Sequence, residues 1–218
     1  MESSSAKVLE GRRELKTRNK AWAHKLAQLL ASSNISPNQI SALSIFCALG
    51  GLAAFAAAHT TGHHLFLVLA VLGIQTRLLC NLMDGMVAIE FKKKSPVGDL
   101  YNEVPDRIAD AFLILGAGLY CQSHDLAMTL TWVNIFLATM TAYIRALGAS
   151  LGNGHKYLGP MAKQHRMALL TAAAVIELVF NIEAIYVALW IMLVGLIVTV
   201  VRRLANLSQR LKQVSEEK

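Results

Sequence analysis

Asn81, Asp84, Asn102, Asp106 and Asp110 carry hard oxygen donors at spacings of three and four residues, in a chain that is otherwise largely apolar. Residues three and four apart share a helix face. Asn81, Asp84 and Ala88 therefore form one row, with Arg77 a turn deeper, and Asn102, Asp106 and Asp110 form a second. The stretch from 81 to 110 holds two Asn, four Asp and two Glu. Converging carboxylate and amide oxygens suit Mg²⁺ or Mn²⁺, and the absence of soft ligands among them argues against copper or an iron–sulfur cluster. A charged side chain in the middle of a membrane span costs roughly 2.5–3.5 kcal/mol on insertion scales, so such groups are expected to pair or to line a watery cavity.

The elements that position these rows follow from composition. Of 218 residues, 55% are hydrophobic and 16% charged, with a mean hydropathy of +0.45, too apolar for an ordinary soluble domain. Several runs approach the roughly 20 residues needed to cross a bilayer. The pattern predicts an all-α integral membrane protein of six transmembrane helices, at 37–58, 64–91, 99–121, 125–149, 163–180 and 183–202, preceded by an amphipathic surface helix. It divides into a cytoplasmic juxtamembrane segment (1–35), the six-helix domain (36–203) and a polar cytoplasmic tail (204–218).

Between Lys7 and Leu30, Leu15, Trp22, Leu26, Leu29 and Leu30 fall on one stripe, with Arg12, Arg13, Lys16, Lys20 and Lys25 on the remainder. That is the pattern of a helix lying on anionic lipid; a solvated basic tail is the plainer alternative. Ser36 is placed as an N-cap with Pro37 at the first helical position. No apolar core followed by a cleavage site occurs in the first 30 residues, so no signal peptide is expected. Cys47, Cys80 and Cys121 lie in separate apolar segments and suggest packing, with neither a disulfide framework nor a zinc site.

Lys and Arg fix the expected orientation. Seven precede the first span, three form "KKK" at 92–94, three lie between Lys156 and Arg166, and five follow from Arg202. The remaining three, Arg77, Arg107 and Arg145, lie inside spans, and none is left for the other connectors. The positive-inside rule puts both termini, the 92–98 and 150–162 loops and the polar rows on the cytoplasmic side of the cell inner membrane. The net charge of +7 then needs no nucleic acid partner. The second and third spans, joined by a short loop, are expected to be antiparallel neighbours whose polar rows face each other across a cleft.

"NLMDGMVA" followed by "GDLYNEVPD" resembles the signature of the CDP-alcohol phosphatidyltransferases, D-x-x-D-G-x-x-A-R, eight residues, G-x-x-x-D-x-x-x-D. Asp84, Gly85, Ala88, Gly98 and Asp106 match at the required spacings, and "SPNQ" at 36–39 resembles the family's usual entry to the first span. Asn81 and Asn102 replace the first and third aspartates, and Ile89 replaces the arginine, a pattern similar to a bacterial subgroup of the family. An amide still offers a carbonyl oxygen to a metal, but two negative charges are lost. The site should hold a divalent ion more weakly, or hold one where the family commonly holds two. Asp110 and Glu103 are the residues placed to compensate, and Pro105 is expected to put Asn102 at a helix start.

The resemblance implies transfer of a substituted phosphate from a CDP-linked lipid to an alcohol acceptor, with release of CMP, and it implies a homodimer. It assigns Asp106 as the catalytic base and Asp84, Asn81, Asn102 and Asp106, with Asp110 as a further candidate, as ligands of Mg²⁺ or Mn²⁺. Gly85, Ala88, Gly98 and Asn38 are assigned to the nucleotide and its diphosphate. Arg145, Lys163 and Arg166 are candidates for phosphate on acceptor or donor, against the plainer reading of a structural ion pair and membrane anchors. His59, His63 and His64 read as a solvated turn, with no carboxylate nearby in sequence. Two rival functions stand beside the enzyme. One is a catalytically weakened relative that binds CDP-lipid or a partner without turnover, and the other is a small transporter, which would spread its polar residues to both sides of the membrane.

Overall fold

The computed structural model describes residues 20–33, 35–93, 95–154 and 157–216. Every regular element among them is a helix: α1 (Ala21–Ser32), α2 (Pro37–Thr61), α3 (Leu65–Glu90), α4 (Gly98–Tyr120), α5 (Ala127–Ser150), α6 (Lys163–Phe180) and α7 (Ala184–Glu216). Four of these, α2, α3, α5 and α7, are long and apolar enough to cross a membrane. Helices α4 and α6 fill the ranges expected for the third and fifth spans but fall outside that apolar group. Helix α4 carries Asp99, Glu103, Asp106, Arg107 and Asp110, and the 18-residue α6 carries Lys163, Arg166 and Glu177. Large apolar side chains such as Phe46, Phe136 and Val194 face outward, an exposure that fits lipid rather than water. The chain is an all-helical, multi-pass membrane protein.

The entry to α2 forms as its sequence predicts. The Ser36 hydroxyl accepts from the Gln39 N–H at 3.2 Å, and the Gln39 side chain accepts from the Ser36 N–H at 2.9 Å, a reciprocal capping box with Pro37 at the first turn. Gly62, at φ +70°, closes the helix in the left-handed conformation that glycine adopts without penalty.

Helix α2 is the keystone. It packs along both α3 and α4, whereas α3 and α4 barely touch each other. This corrects the expectation of two paired antiparallel neighbours: the helices carrying the polar rows are held apart by a shared partner and meet only through long side chains. The close approach of α2 and α3 depends on Gly51 and Gly73, since a Cβ at Gly73 would lie 2.7 Å from the Gly51 Cα. Small residues at helix crossings are how membrane helices gain contact where lipid already solvates apolar side chains. The other half of the bundle is built by α5 and α6 on α7, joined to the first through α4 against α5 and α3 against α6.

Two details differ from expectation. Helix α4 begins at Gly98 and runs through Pro105, so Asn102 lies in its second turn and not at a helix start. Helix α7 is 33 residues long and runs past residue 203 without a break, so the expected tail continues the helix. At ~1.5 Å per residue it spans about 50 Å, more than the roughly 30 Å of hydrocarbon in a bilayer.

The described part of the N-terminal segment, α1, packs on the end of α3. Ala23 and Ala27 are buried against Leu82, Met83, Met86 and Val87, with Leu26 and Leu30 partly buried beside them. Trp22 and Leu29 remain 47% and 65% exposed, which divides the expected stripe between a face used for packing and a face left outside. Lys93 Nζ caps the helix by donating to Ala31 O at 2.7 Å, and His24 Nδ1 lies 2.9 Å from Glu90. Lys93 of the "KKK" run therefore closes a helix end. Leu15, Arg12, Arg13 and Lys16 lie outside the described residues, as do Lys94 and Lys156.

Candidate functional site

Asp84, Asp106, Asp110, Arg77, Lys163 and Arg166 gather at the end of the bundle where α2 begins and α3 ends. All but Lys163 are buried, and Arg77 and Arg166 are almost wholly enclosed. Asp110 sits between two guanidinium groups: Arg77 Nη2 donates to its Oδ1 at 2.6 Å and Arg166 Nη2 to its Oδ2 at 2.5 Å. A buried ion pair repays the desolvation of its charges only with good geometry and further hydrogen bonds, and Arg166 adds one to Met161 O at 2.9 Å. Both oxygens of Asp110, the further candidate for the metal, are thus engaged by guanidinium groups. It joins α4 to α3 and α6 electrostatically.

Asp106 is likewise surrounded. Lys163 Nζ donates to its Oδ2, Arg107 lies 3.6 Å from the same oxygen, and Arg77 approaches its Oδ1 at 3.4 Å. Asp84 differs in kind, because its hydrogen-bond donors are neutral. They are the Ser41 hydroxyl, at 2.6 Å, and the backbone N–H of Gly85. Arg77, two turns before Asp84 on α3, donates to Asp106 Oδ1 at 3.4 Å, so the two halves of the signature are joined at one end of the bundle although α3 and α4 make little contact.

The remaining sequence candidates are distributed around this core. Asn81, one turn before Asp84, is partly buried, and its Nδ2 has no partner within the fold. Asn102 is exposed one turn before Asp106. Asn38 donates to Ser95 Oγ at 3.3 Å, tying the start of α2 to the loop that leads into α4. A Cβ at Gly98 would meet only open space. Arg145 pairs with Glu103, donates to the Tyr157 hydroxyl at 3.0 Å and stacks over its ring at 5.1 Å. Glu103, expected to compensate at the metal, is thus engaged by Arg145.

Among the described residues no three His, Cys, Asp or Glu side chains converge as metal ligands. The donor set fits a divalent ion best at Asp84, a carboxylate whose hydrogen-bond donors are neutral, with the amide of Asn81 one turn before it on α3. Those are all hard oxygen atoms, suited to Mg²⁺ or Mn²⁺. Five buried donor atoms at this end have no partner in the fold: Arg77 Nε and Nη1, Asn81 Nδ2, Arg107 Nε and Arg166 Nε. Unsatisfied buried donors are rare and costly. They make this end the least satisfied part of the described residues.

Two residues escaped the sequence reading. Ser41 lies one turn into α2 and looks like ordinary helix; only folding brings it to Asp84. Arg203 is buried, donating to Leu158 O at 2.9 Å and to Thr141 O. It counts among the five cations from Arg202 onward, although Leu196, Thr199, Arg203 and Leu207 recur at helical spacing and are all buried. Its loop partner is fixed by Gly159, at φ +100°, where a Cβ would stand 2.6 Å from Thr199.

At the opposite end of the bundle, His59, His64, His124, Glu177, Glu183 and Tyr186 line a cavity of about 340 Å³. Two carboxylates distant in sequence thus stand near the histidines, because α6 and the 181–183 turn bring them there. His59 Nδ1 lies 2.9 Å from Tyr120 O, and His124 stacks on Tyr186 at 4.1 Å.

The family model for CDP-alcohol phosphatidyltransferase matches residues 34–206. The inner membrane protein YnbA of Escherichia coli strain K12 is 28% identical over 102 residues, 47% of this chain and 49% of that protein, so the match spans about half the length of this curated relative. The solved structure of Mycobacterium tuberculosis phosphatidylinositol phosphate synthase (PgsA1) in complex with manganese and citrate has a TM-score of 0.72 at 20% identity, covering 85% of this chain and 88% of that one. The same synthase with CDP-DAG bound gives a TM-score of 0.69 at 19% identity, over 85% and 92% of the two chains. At these identities the likeness establishes a shared fold.

Proposed function

This chain belongs to the CDP-alcohol phosphatidyltransferase family, and on that premise we propose that it transfers a phosphatidyl group from a CDP-linked lipid such as CDP-diacylglycerol to an alcohol acceptor, releasing CMP. The observation that carries this reading is that the two halves of the signature meet at one end of the bundle, where Arg77 of α3 donates to Asp106 of α4 and five buried donors stand unpartnered. Phosphatidylinositol phosphate synthase, similar in fold, has been captured with CDP-DAG and with manganese.

Asp84, Asn81 and Asn102 would hold Mg²⁺ or Mn²⁺. A divalent ion there supplies positive charge to the diphosphate as CMP departs. Ser41 orients the Asp84 carboxylate, and Gly85, Ala88, Gly98 and Asn38 leave room for, and border, the nucleotide. Asp106 accepts the proton of the acceptor hydroxyl as its oxygen bonds to the phosphorus nearer the lipid. The bond from that phosphorus to the CMP oxygen breaks, and CMP leaves with the electron pair. Arg77 and Arg166, fixed by Asp110, present their free N–H groups to phosphate oxygens, and Arg145 stands beside the acceptor. The site faces the cytoplasm in the inner membrane, and the working unit is a homodimer.

One observation favours a second reading. Both oxygens of Asp106 already contact cations, which leaves neither free to meet an acceptor hydroxyl and suits a relative that binds CDP-lipid without turnover. Purified protein incubated with labelled CDP-diacylglycerol, Mn²⁺ and a panel of alcohols separates the two. Release of CMP with one acceptor supports the transferase. Folded protein that retains the CDP-lipid and releases no CMP supports the binding protein.

A further inference from the structure

The charges at the signature end do not balance as a two-metal site would require. Three carboxylates, Asp84, Asp106 and Asp110, meet four side-chain cations, Arg77, Arg107, Lys163 and Arg166. The cluster is therefore positive by one charge before any metal binds. A second divalent ion would add two more charges to a pocket that is mostly closed to water, where Coulomb repulsion is weakly screened.

The positions are as informative as the sum. Two divalent ions need carboxylate oxygens to share, and the two oxygens of Asp110 are taken by guanidinium groups at 2.6 and 2.5 Å. On Asp106, Oδ2 holds the Lys163 ammonium and Oδ1 is approached by Arg77 at 3.4 Å. Lys163 opens α6, and its side chain is only 25% exposed. It reaches this carboxylate across 57 positions of sequence. An ammonium is a compact point charge with three donors. After donating to Asp106 it has donors left for an anion, and Arg77, which contacts the same carboxylate, keeps Nε and Nη1 unpartnered.

We propose that Lys163 is a built-in cation standing in for a second metal: the site takes one divalent ion, on Asp84 and its neighbouring amides, while the Lys163 ammonium bridges Asp106 to the diphosphate. This inference rests on the transferase reading of the site and assigns its metal count. It also explains two of the three departures from the signature. Asn81 and Asn102 remove the negative charge that a second ion would have matched, and the lysine compensates for the charge of Asp106 permanently. Ion availability then controls one position of the site and not the other.

The test is the number of Mn²⁺ ions bound per chain, measured by the electron paramagnetic resonance of free Mn²⁺ during titration of detergent-solubilised protein. Thermal unfolding serves as the check on folding. Wild type is expected to bind one ion, and N81D/N102D with Lys163 intact to bind one ion more tightly. N81D/N102D/K163M is expected to bind two, and N81D/N102D/K163R, which keeps the cation, to return to one. Should the K163M variant fail to fold, the N81D/N102D protein still decides, because a second ion there with Lys163 present overturns the proposal. Two ions in wild type would overturn it while leaving the transferase reading intact. No ion in folded wild type would overturn both, by removing Asp84 as a metal site.

Discussion

The two ends of the bundle each collect polar residues, and they do so in different ways. At the signature end the charged groups are buried, paired across helices and left with unsatisfied donors. At the opposite end, Glu177 accepts from the Ile185 N–H at 2.8 Å and His59 meets Tyr120 O at 2.9 Å, while the Glu183 side chain is 70% exposed. The second set closes helix ends and loops. Its polar atoms are engaged by the turn they stabilise or by solvent. The first set satisfies no helix end, and charges buried in a bundle are expensive enough that a functional role is the default reading. The difference shows that a polar cluster in a membrane protein is informative in proportion to the pairing it leaves incomplete.

The comparison breaks most severely at Asp110. Asp110→Ala leaves Arg77 and Arg166 buried without their shared counter-ion, and removing one partner of a buried pair costs about 3–5 kcal/mol. Thermal unfolding in detergent should show a large loss of stability. No substitution among the histidines of the opposite end should approach it.

Restoring carboxylates sharpens the contrast. Asn81→Asp with Asn102→Asp adds two negative charges beside Asp84, and Mn²⁺ affinity measured by titration is expected to rise on the order of 10- to 100-fold. Unchanged affinity would mean that these amides do not face the ion. Ser41→Ala removes the hydroxyl that orients Asp84, and loss of an outer partner of this kind is expected to weaken Mn²⁺ by roughly 10-fold. Smallest is Glu177→Gln at the opposite end. The amide oxygen still accepts from Ile185, so stability should change by no more than about 1 kcal/mol, with CMP release unaltered.

These contrasts also mark what the sequence could convey. The spacing of Asp84 and Asp106, the cap at Ser36 and the limits of α4 and α6 are local properties, written in residues three, four or eight apart. The helices follow them closely, from Gly98 to Tyr120 and from Lys163 to Phe180. Partnership across helices is not local. Lys163 meets Asp106 and Arg166 meets Asp110 over more than fifty residues, and Ser41 meets Asp84 only because α2 lies between α3 and α4. A serine in an apolar helix has no pattern to distinguish it. Arg203 was legible in its helical spacing with Leu196, Thr199 and Leu207, but its place among tail cations hid it. Glu177 and Glu183 were far in sequence from the histidines at 59–64, so the carboxylates at that end became visible only in the fold.

The central claim is that the signature end carries out phosphatidyl transfer with Asp106 receiving the proton. Its most direct measurement is CMP release from CDP-diacylglycerol by Asp106→Asn, compared with wild type at saturating Mn²⁺ and acceptor. An asparagine can still accept from Lys163 but cannot take up a proton. The account predicts a rate lower by roughly 10²- to 10⁴-fold, with unfolding temperature and CDP-lipid binding little changed. Release at the wild-type rate by folded Asp106→Asn would contradict it.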